Sequence, residues 1–294
     1  LAAAAVFAVT VVYQLELRSQ LENYAASLRG GGGFPVALDG MTVHRLLPMG
    51  KDVAVVTSAG TYIYNSSGAR INSCLNNYRT PQARAAGGKI LTYDLGGTDL
   101  RVDNKAKQLH ALTVKGGSLL AADIAQNGAI AVAQTGVGVD AMVLAYNPRF
   151  ELMYGWSVQD SYITDVALSP RGTRMSCAGI TMEGQHIVSL LRVHHFDQDQ
   201  EVARVSLPDE VIVSMVWDGQ EEIQVVPDKS LYLFDSQGEQ LAKVSLPGGL
   251  VTYENIPGHL YIAYGDYRDP AGVTIQAYDG ELNKTGSGRV DRRL

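Results

Sequence analysis

The sequence predicts an all-β fold: a β-propeller of about six four-stranded blades, preceded by an N-terminal transmembrane helix. Two markers advance together from residue 41 to the end. Glycines recur at Gly50, Gly88, Gly128, Gly172, Gly219 and Gly258, at intervals of 38, 40, 44, 47 and 39 residues. Asp or Asn recurs at Asn65, Asp103, Asn147, Asp197, Asp235 and Asp279, at intervals of 38, 44, 50, 38 and 44. A strand-like apolar burst follows each glycine and a second precedes each Asp or Asn, so one supersecondary unit is repeated six times.

With 31 glycines in 294 residues, a forty-residue glycine spacing is weak alone, and the bursts carry the weight. After the glycines come Val53–Val56, Ile90–Tyr93, Ile130–Ala133, Met175–Ala178, Ile223–Val226 and Leu260–Tyr264. Before the turns come Tyr62–Tyr64, Leu100–Val102, Met142–Tyr146, Ile187–Val193, Leu231–Phe234 and Ile275–Tyr278. Further strand-like segments flank several turns, among them Glu151–Val158, Val202–Leu207 and Gln240–Leu246. Four short strands in about forty residues is the size of one propeller blade. A stacked solenoid or a pair of sandwiches is the alternative. Solenoid turns are stricter in length than the middle turn here, which varies from about two residues to eight or more.

Residues 34–294 span 261 positions, which holds six units at the observed spacing. Asn283–Leu294 is polar and glycine-rich, a poor outer strand. Either six blades close with help from the extended segment Phe34–Leu38, or a seven- or eight-bladed ring is cut short. An incomplete ring is the expectation.

Ahead of the repeats, Leu1–Tyr13 is uncharged and almost wholly apolar. Thirteen helical residues reach roughly 20 Å, whereas a bilayer core needs ~30 Å. The sequence opens on Leu rather than Met, and about seven further apolar residues upstream would complete a span. Residues 1–13 are therefore expected to be part of a single-pass membrane anchor. A cleaved signal peptide fits less well, because Tyr13–Arg18 offers no small-residue cleavage site; a buried core helix is the remaining alternative. Only Arg18 and Arg29 are basic in the twenty residues after Tyr13. Cytoplasmic flanks are richer in Lys and Arg, so the propeller is expected on the extracytoplasmic side.

Residues 14–33 read as a helical stalk and linker. Leu17, Leu21, Tyr24 and Leu28 are spaced in steps of 4, 3 and 4, one helical face. That face rests on the propeller or the lipid, or it pairs with a second copy. Gly30–Gly33 ends the helix and is expected to decouple it from the repeats.

Gly33-Phe-Pro-Val36, Tyr62-Ile-Tyr-Asn65 with Gly68, and Tyr93 to Val102 together resemble an uncharacterised bacterial family, domain-of-unknown-function family 5711. The resemblance implies one N-terminal membrane helix and a propeller-like domain, and it brings no catalytic residues. The Leu168-Ser-Pro-Arg-Gly172 turn is also similar to the Ser-Pro-Asp-Gly turns of many propellers, with Arg171 in place of Asp.

Signals of chemistry are few. A net charge of −6 and a pI near 5.5, without a basic stripe, argue against nucleic-acid binding. There is no Gly-x-Ser-x-Gly elbow and no phosphate-binding glycine loop. Trp156 and Trp217 do not recur once per blade, unlike the docking tryptophans of quinone-dependent dehydrogenase propellers. No cofactor and no metal are expected. His186, His194 and His195 with Asp197 and Asp199 are close in sequence, but adjacent strand residues face opposite ways, so three ligands do not converge. Phe196–Gln200 lacks the remaining positions of a calcium loop. Cys74 and Cys177 are expected to be buried free thiols.

Two surfaces remain. Tyr261, Tyr264, Tyr267 and Arg268, with Asp266 and Asp269, form a candidate partner-binding patch for a protein or glycan, since tyrosine combines flat area with a hydroxyl. Asp123, Asp165, Asp218 and Glu254 are the carboxylates that a glycan hydrolase or lyase centred on the propeller channel would use, if two lay 5–10 Å apart. Asp123 and Asp165 occupy matching places before their glycines, where blade-to-blade hydrogen bonding is the competing role. The expectation is a membrane-anchored, non-catalytic binding propeller; a channel enzyme and a structural spacer are the alternatives.

Overall fold

The computed structural model describes residues 17–18, 20–38, 40–265 and 272–290. The fold is an all-β propeller with six four-stranded blades, and each blade is an antiparallel meander in sequence order. The chain divides into two compact units, Leu1–Val114 and Lys115–Leu294.

The first unit holds a helix, α1 (residues 17–18 and 20–27), and two blades. Blade one is β1 (Val43–Met49), β2 (Asp52–Thr57), β3 (Gly60–Tyr64) and β4 (Arg70–Leu75). Blade two is β5 (Pro81–Ala86), β6 (Lys89–Asp94), β7 (Asp99–Asn104) and β8 (Gln108–Thr113).

The second unit holds blades three to six. They are β9 (Leu119–Ile124) to β12 (Leu152–Val158), with β10 (Ile130–Thr135) and β11 (Ala141–Tyr146) between; and β13 (Tyr162–Leu168), β14 (Arg174–Glu183), β15 (His186–His195) and β16 (Glu201–Pro208). Then come β17 (Ile212–Asp218), β18 (Glu222–Pro227), β19 (Ser230–Asp235) and β20 (Gln240–Ser245), and lastly β21 (Gly249–Ile256), β22 (His259–Gly265), β23 (Val273–Asp279) and β24 (Lys284–Val290).

The two apolar bursts of each repeat are the two central strands. β3 is buried at every position and β10 at all but its last, whereas the outer strands β8, β12 and β20 alternate or lie mostly exposed. A central strand is covered on both faces and reads as a continuous apolar run; an edge strand is covered on one.

The six glycine markers all lie in the turn between the first and second strands of a blade, with φ from 62° to 94°. Gly172 shows why the position is restrictive. Its φ is 62°, and a Cβ there would stand 2.6 Å from the Ala129 Cβ.

The Asp and Asn markers cap the hairpin between the third and fourth strands. Asn65 Oδ1 accepts the N–H groups of Ser67 (3.1 Å) and Ala69 (2.9 Å). Asn147, Asp235 and Asp279 repeat the pattern, each accepting from the residues two and four positions on. Blade two corrects the sequence reading by one residue. Asn104 is the cap, accepting from Ala106 and Lys107 at 2.8 and 2.7 Å, while Asp103 is buried in β7 and paired with Arg101. In blade four the turn instead closes through Gln198 N–H to His195 O, 3.0 Å. The register shifts just after the turn in every blade, where one extra residue on the fourth strand re-aims the chain.

Three expectations change. Phe34–Leu38 joins no sheet; Val36 and Leu38 pack on Val55, Tyr62 and Tyr64 of blade one. The polar segment after Asn283, expected to be a poor outer strand, nevertheless forms β24, the fourth strand of blade six. Gly30–Gly33 does not decouple α1. Gly33 N–H donates to Ser67 O at 2.8 Å, and a Cβ at Gly31 would meet Ser67 O at 2.3 Å, so these glycines permit close backbone approach. Leu1–Tyr13 lies outside the described residues, among which no helix is long and apolar enough to cross a membrane.

Candidate functional site

The blade-four hairpin departs most from the repeat. Its central strands β14 and β15 run ten residues each, against five to seven in the other blades. A two-residue turn, Gly184–Gln185, joins them, with Gly184 at φ 65°. Met182 and Ile187 are directly paired across the hairpin and are 59% and 43% exposed. Ile180 lies two residues before Met182 on the same face and pairs with Tyr162, which is 72% exposed. Tyr162, Met182 and Ile187 thus share one face of the sheet and form a solvent-facing apolar strip. Beside them, His186 Nδ1 meets Asp209 Oδ1 at 2.9 Å.

A charge network built on one buried arginine fixes the root of this hairpin. Arg192, on β15, has no exposed surface. Its Nη2 donates to Asp160 Oδ1 at 2.6 Å and its Nη1 to Ser161 Oγ at 2.9 Å, and its Nε lies 3.5 Å from Glu201 Oε2. Arg204 completes the set, donating to Asp160 Oδ2 at 3.0 Å and Glu201 Oε1 at 2.7 Å. Two arginines and two carboxylates form a closed square of zero net charge, the arrangement that makes a buried guanidinium tolerable. Burial pushes the Asp160 carboxyl up, but Arg192 and Arg204 together hold it below its ordinary value.

An aromatic wall from blade three covers the network. The Arg192 guanidinium stands 5.4 Å from the Trp156 ring centroid. His194 packs on Trp156 at 4.4 Å between centroids, and its Nδ1 lies 3.1 Å from the Tyr154 hydroxyl. Burial, with the nearby Arg192, Arg204 and His195 charges, pushes the His194 imidazole down to about 4, so it is neutral at pH 7.

The structure assigns a place to most of the residues singled out in the sequence. His194 and His195 are buried, and His186 is exposed at the hairpin tip. Among the described residues, no group of three His, Cys, Asp or Glu side chains is placed to hold a metal ion. Asp123 Oδ2 accepts the Leu168 N–H at 2.8 Å, and Asp165 Oδ2 accepts the Met215 N–H at 3.2 Å. Both therefore tie the first strand of one blade to that of the next. Asp218 lies at the end of β17, against Gly280, and Glu254 lies on β21. Tyr261 is 45% exposed and stacks with His259, whereas Tyr264 is buried beside Leu260 and Tyr278. Tyr267 and Arg268, with Asp266 and Asp269, lie outside the described residues. Cys74 and Cys177 are buried and free.

The sequence reading missed the Arg192 network. Its signal was present: an arginine inside the burst Ile187-Val-Ser-Leu-Leu-Arg-Val193 demands buried partners.

Comparison with solved structures shows the fold class alone. A structure described as "KlHsv2 with loop 6CD replaced by a Gly-Ser linker" superposes with a TM-score of 0.58 at 14% identity, over 83% of this chain and 84% of that one. The crystal structure of Chaetomium thermophilum Raptor gives a TM-score of 0.61 at 13% identity over 88% of this chain; the chain spans about a quarter of Raptor, 25% of its length. A search of curated proteins gives no match. Residues 39–251 match the model of the "Family of unknown function (DUF5711)". That span is most of the chain, and the protein belongs to this family.

Proposed function

We propose that the protein is a membrane-tethered, non-catalytic propeller that docks a protein partner on the extracytoplasmic side. The observation that carries this reading is the elongated blade-four hairpin. It holds Met182 and Ile187 in solvent on a root made rigid by Arg192. An exposed apolar strip on a rigid element loses little entropy on binding, the property of a docking ridge. Tether and side rest on the apolar run Leu1–Tyr13 and the sparse basic residues after it. The channel-enzyme reading loses ground because Asp123 and Asp165 accept backbone N–H groups.

Site-specific photocrosslinking on the full chain in its native membrane tests this. A benzophenone side chain at Ile187 should give one discrete adduct that disappears with Met182→Glu. One at Leu241, an exposed residue of β20, serves as the control. Equal adducts from both positions, or turnover of a defined substrate by the purified chain, would overturn the reading.

A further inference from the structure

α1 is docked by its polar side and shows its apolar side to solvent. At 100° per residue, positions 17, 21, 24 and 28 fall within about 60° of one another, and 22, 23 and 26 lie opposite, with 27 at the border between the two faces. The second set makes the contacts with blades one and two. Glu22 Oε2 pairs with Lys107 Nζ at 2.5 Å, and Asn23 Oδ1 accepts the Lys105 N–H at 3.1 Å. Ser27 Oγ donates to Asp52 Oδ2 at 2.8 Å. Ala26 enters the core with Leu47, Ile63 and Ile71. The C-terminal end is held too: Asn65 Nδ2 donates to Ser27 O and Arg29 O, at 3.1 and 2.7 Å. Meanwhile Leu17, Leu21, Tyr24 and Leu28 are 46–63% exposed. A surface helix ordinarily does the reverse.

The chain itself indicates what covers this face. Leu1–Tyr13, an uncharged apolar run, ends four residues before Leu17. The stripe is about 16 Å long, less than two heptads and so too short for a stable helix pair. Its flanks, Arg18, Gln20, Ala25 and Ser27, carry no complementary charges to zip two copies together. Ala25 is exposed and widens the apolar face beyond a coiled-coil seam. Arg18 and Arg29 stand at its two ends, and Tyr24 brings a hydroxyl to the apolar band. This is the composition of a helix lying in the plane of a bilayer, its apolar face at the boundary between headgroups and acyl chains.

We propose that α1 is an interfacial helix whose Leu17–Leu21–Tyr24–Leu28 face lies on phospholipid. Because its opposite face is bonded to blades one and two, it fixes the orientation of those blades to the membrane. The inference rests on the membrane-tether reading above. It adds that the attachment is rigid rather than a free leash.

The experiment uses the full chain in vesicles of mixed zwitterionic and anionic phospholipid, with nitroxides on Leu21→Cys and Leu28→Cys. Cys74 and Cys177 are buried, so labelling is selective. Val137→Cys, at an 85% exposed loop position, is the aqueous reference. The expected result is flotation with the vesicles and a several-fold rise, over Val137, in collisions with oxygen relative to a nickel chelate. Flotation with both helix labels as water-accessible as Val137 overturns this inference and leaves the tether standing. Failure to float overturns the tether and the inference together. Dipolar broadening at Leu21 that vanishes on dilution with unlabelled chain overturns it in favour of a second copy as the covering surface.

Discussion

Arg192 Nη2 donates to Asp160 Oδ1 at 2.6 Å, from the third strand of blade four to the segment that enters that blade from blade three. One fully buried guanidinium therefore holds the inter-blade crossing and the root of the longest hairpin at once. Arg204 shares both carboxylates, so removing either arginine leaves the remaining three charges unbalanced.

Arg192→Met should destabilise the second unit by about 2 kcal/mol, because the charge-assisted hydrogen bonds to Asp160 and Ser161 are lost while Arg204 still pairs with both carboxylates. Arg192→Lys should restore less than half of the loss, since an ammonium cannot reach Asp160 and Ser161 as a planar fork. Urea unfolding with hydrogen exchange at β15 measures both. An unchanged midpoint in Arg192→Met would show the network to be dispensable.

Gly179→Ala should cost about 1–3 kcal/mol by overpacking. Its Cβ would stand 2.8 Å from Ser161 Oγ and 3.4 Å from Arg192 Nη1, in a site with no slack. Ser161→Gly removes the obstructing side chain, so the double variant should be more stable than the sum of the two single effects allows. Strict additivity would show that the two residues do not compete for space.

His194 makes stability depend on pH. Its folded value, about 4, lies below the ordinary 6.5 because burial disfavours the imidazolium. The unfolded chain therefore binds the proton more readily. The contribution is complete above pH 6.5 and is lost as pH falls from 6.5 towards 4, by roughly 3 kcal/mol in total. Denaturant titrations of wild type and His194→Gln should show a shallower acid slope for the variant over that window. Parallel slopes would assign the acid sensitivity elsewhere.

Both thiols should resist alkylation until the chain unfolds. Burial, reinforced by Asp103, pushes Cys74 up to about 12, and burial drives Cys177 in the same direction. At pH 8 the Cys74 thiolate is then on the order of one in ten thousand molecules. A thiol reagent should titrate no groups in the native chain and both in denaturant. Rapid native labelling at Cys74 would mean that β4 opens readily.

Much of the blade plan was legible because it rests on local requirements. A left-handed turn needs glycine, as at Gly172, and a tight hairpin needs a side chain that caps its own backbone, as at Asn65. Even the unusual hairpin left a trace, since 172 to 219 is the longest glycine interval. The candidate site was less legible. Tyr261 and Tyr264 share a chemistry and a neighbourhood, but an odd separation on a strand sends one to solvent and the other to the core.

By itself the sequence determined the repeat, its length and the two central strands of every blade, because periodic apolar burial and turn geometry are written residue by residue. Only the tertiary structure decided which face of α1 is bonded, what Asp123 and Asp165 hold, and that Arg192 closes a square of charges. Each of these joins residues tens of positions apart, such as Arg192 and Asp160, 32 apart, or Asp165 and Met215, 50 apart. Hydrogen-bond partners at that separation are chosen by the packing of blades, and no local pattern encodes them.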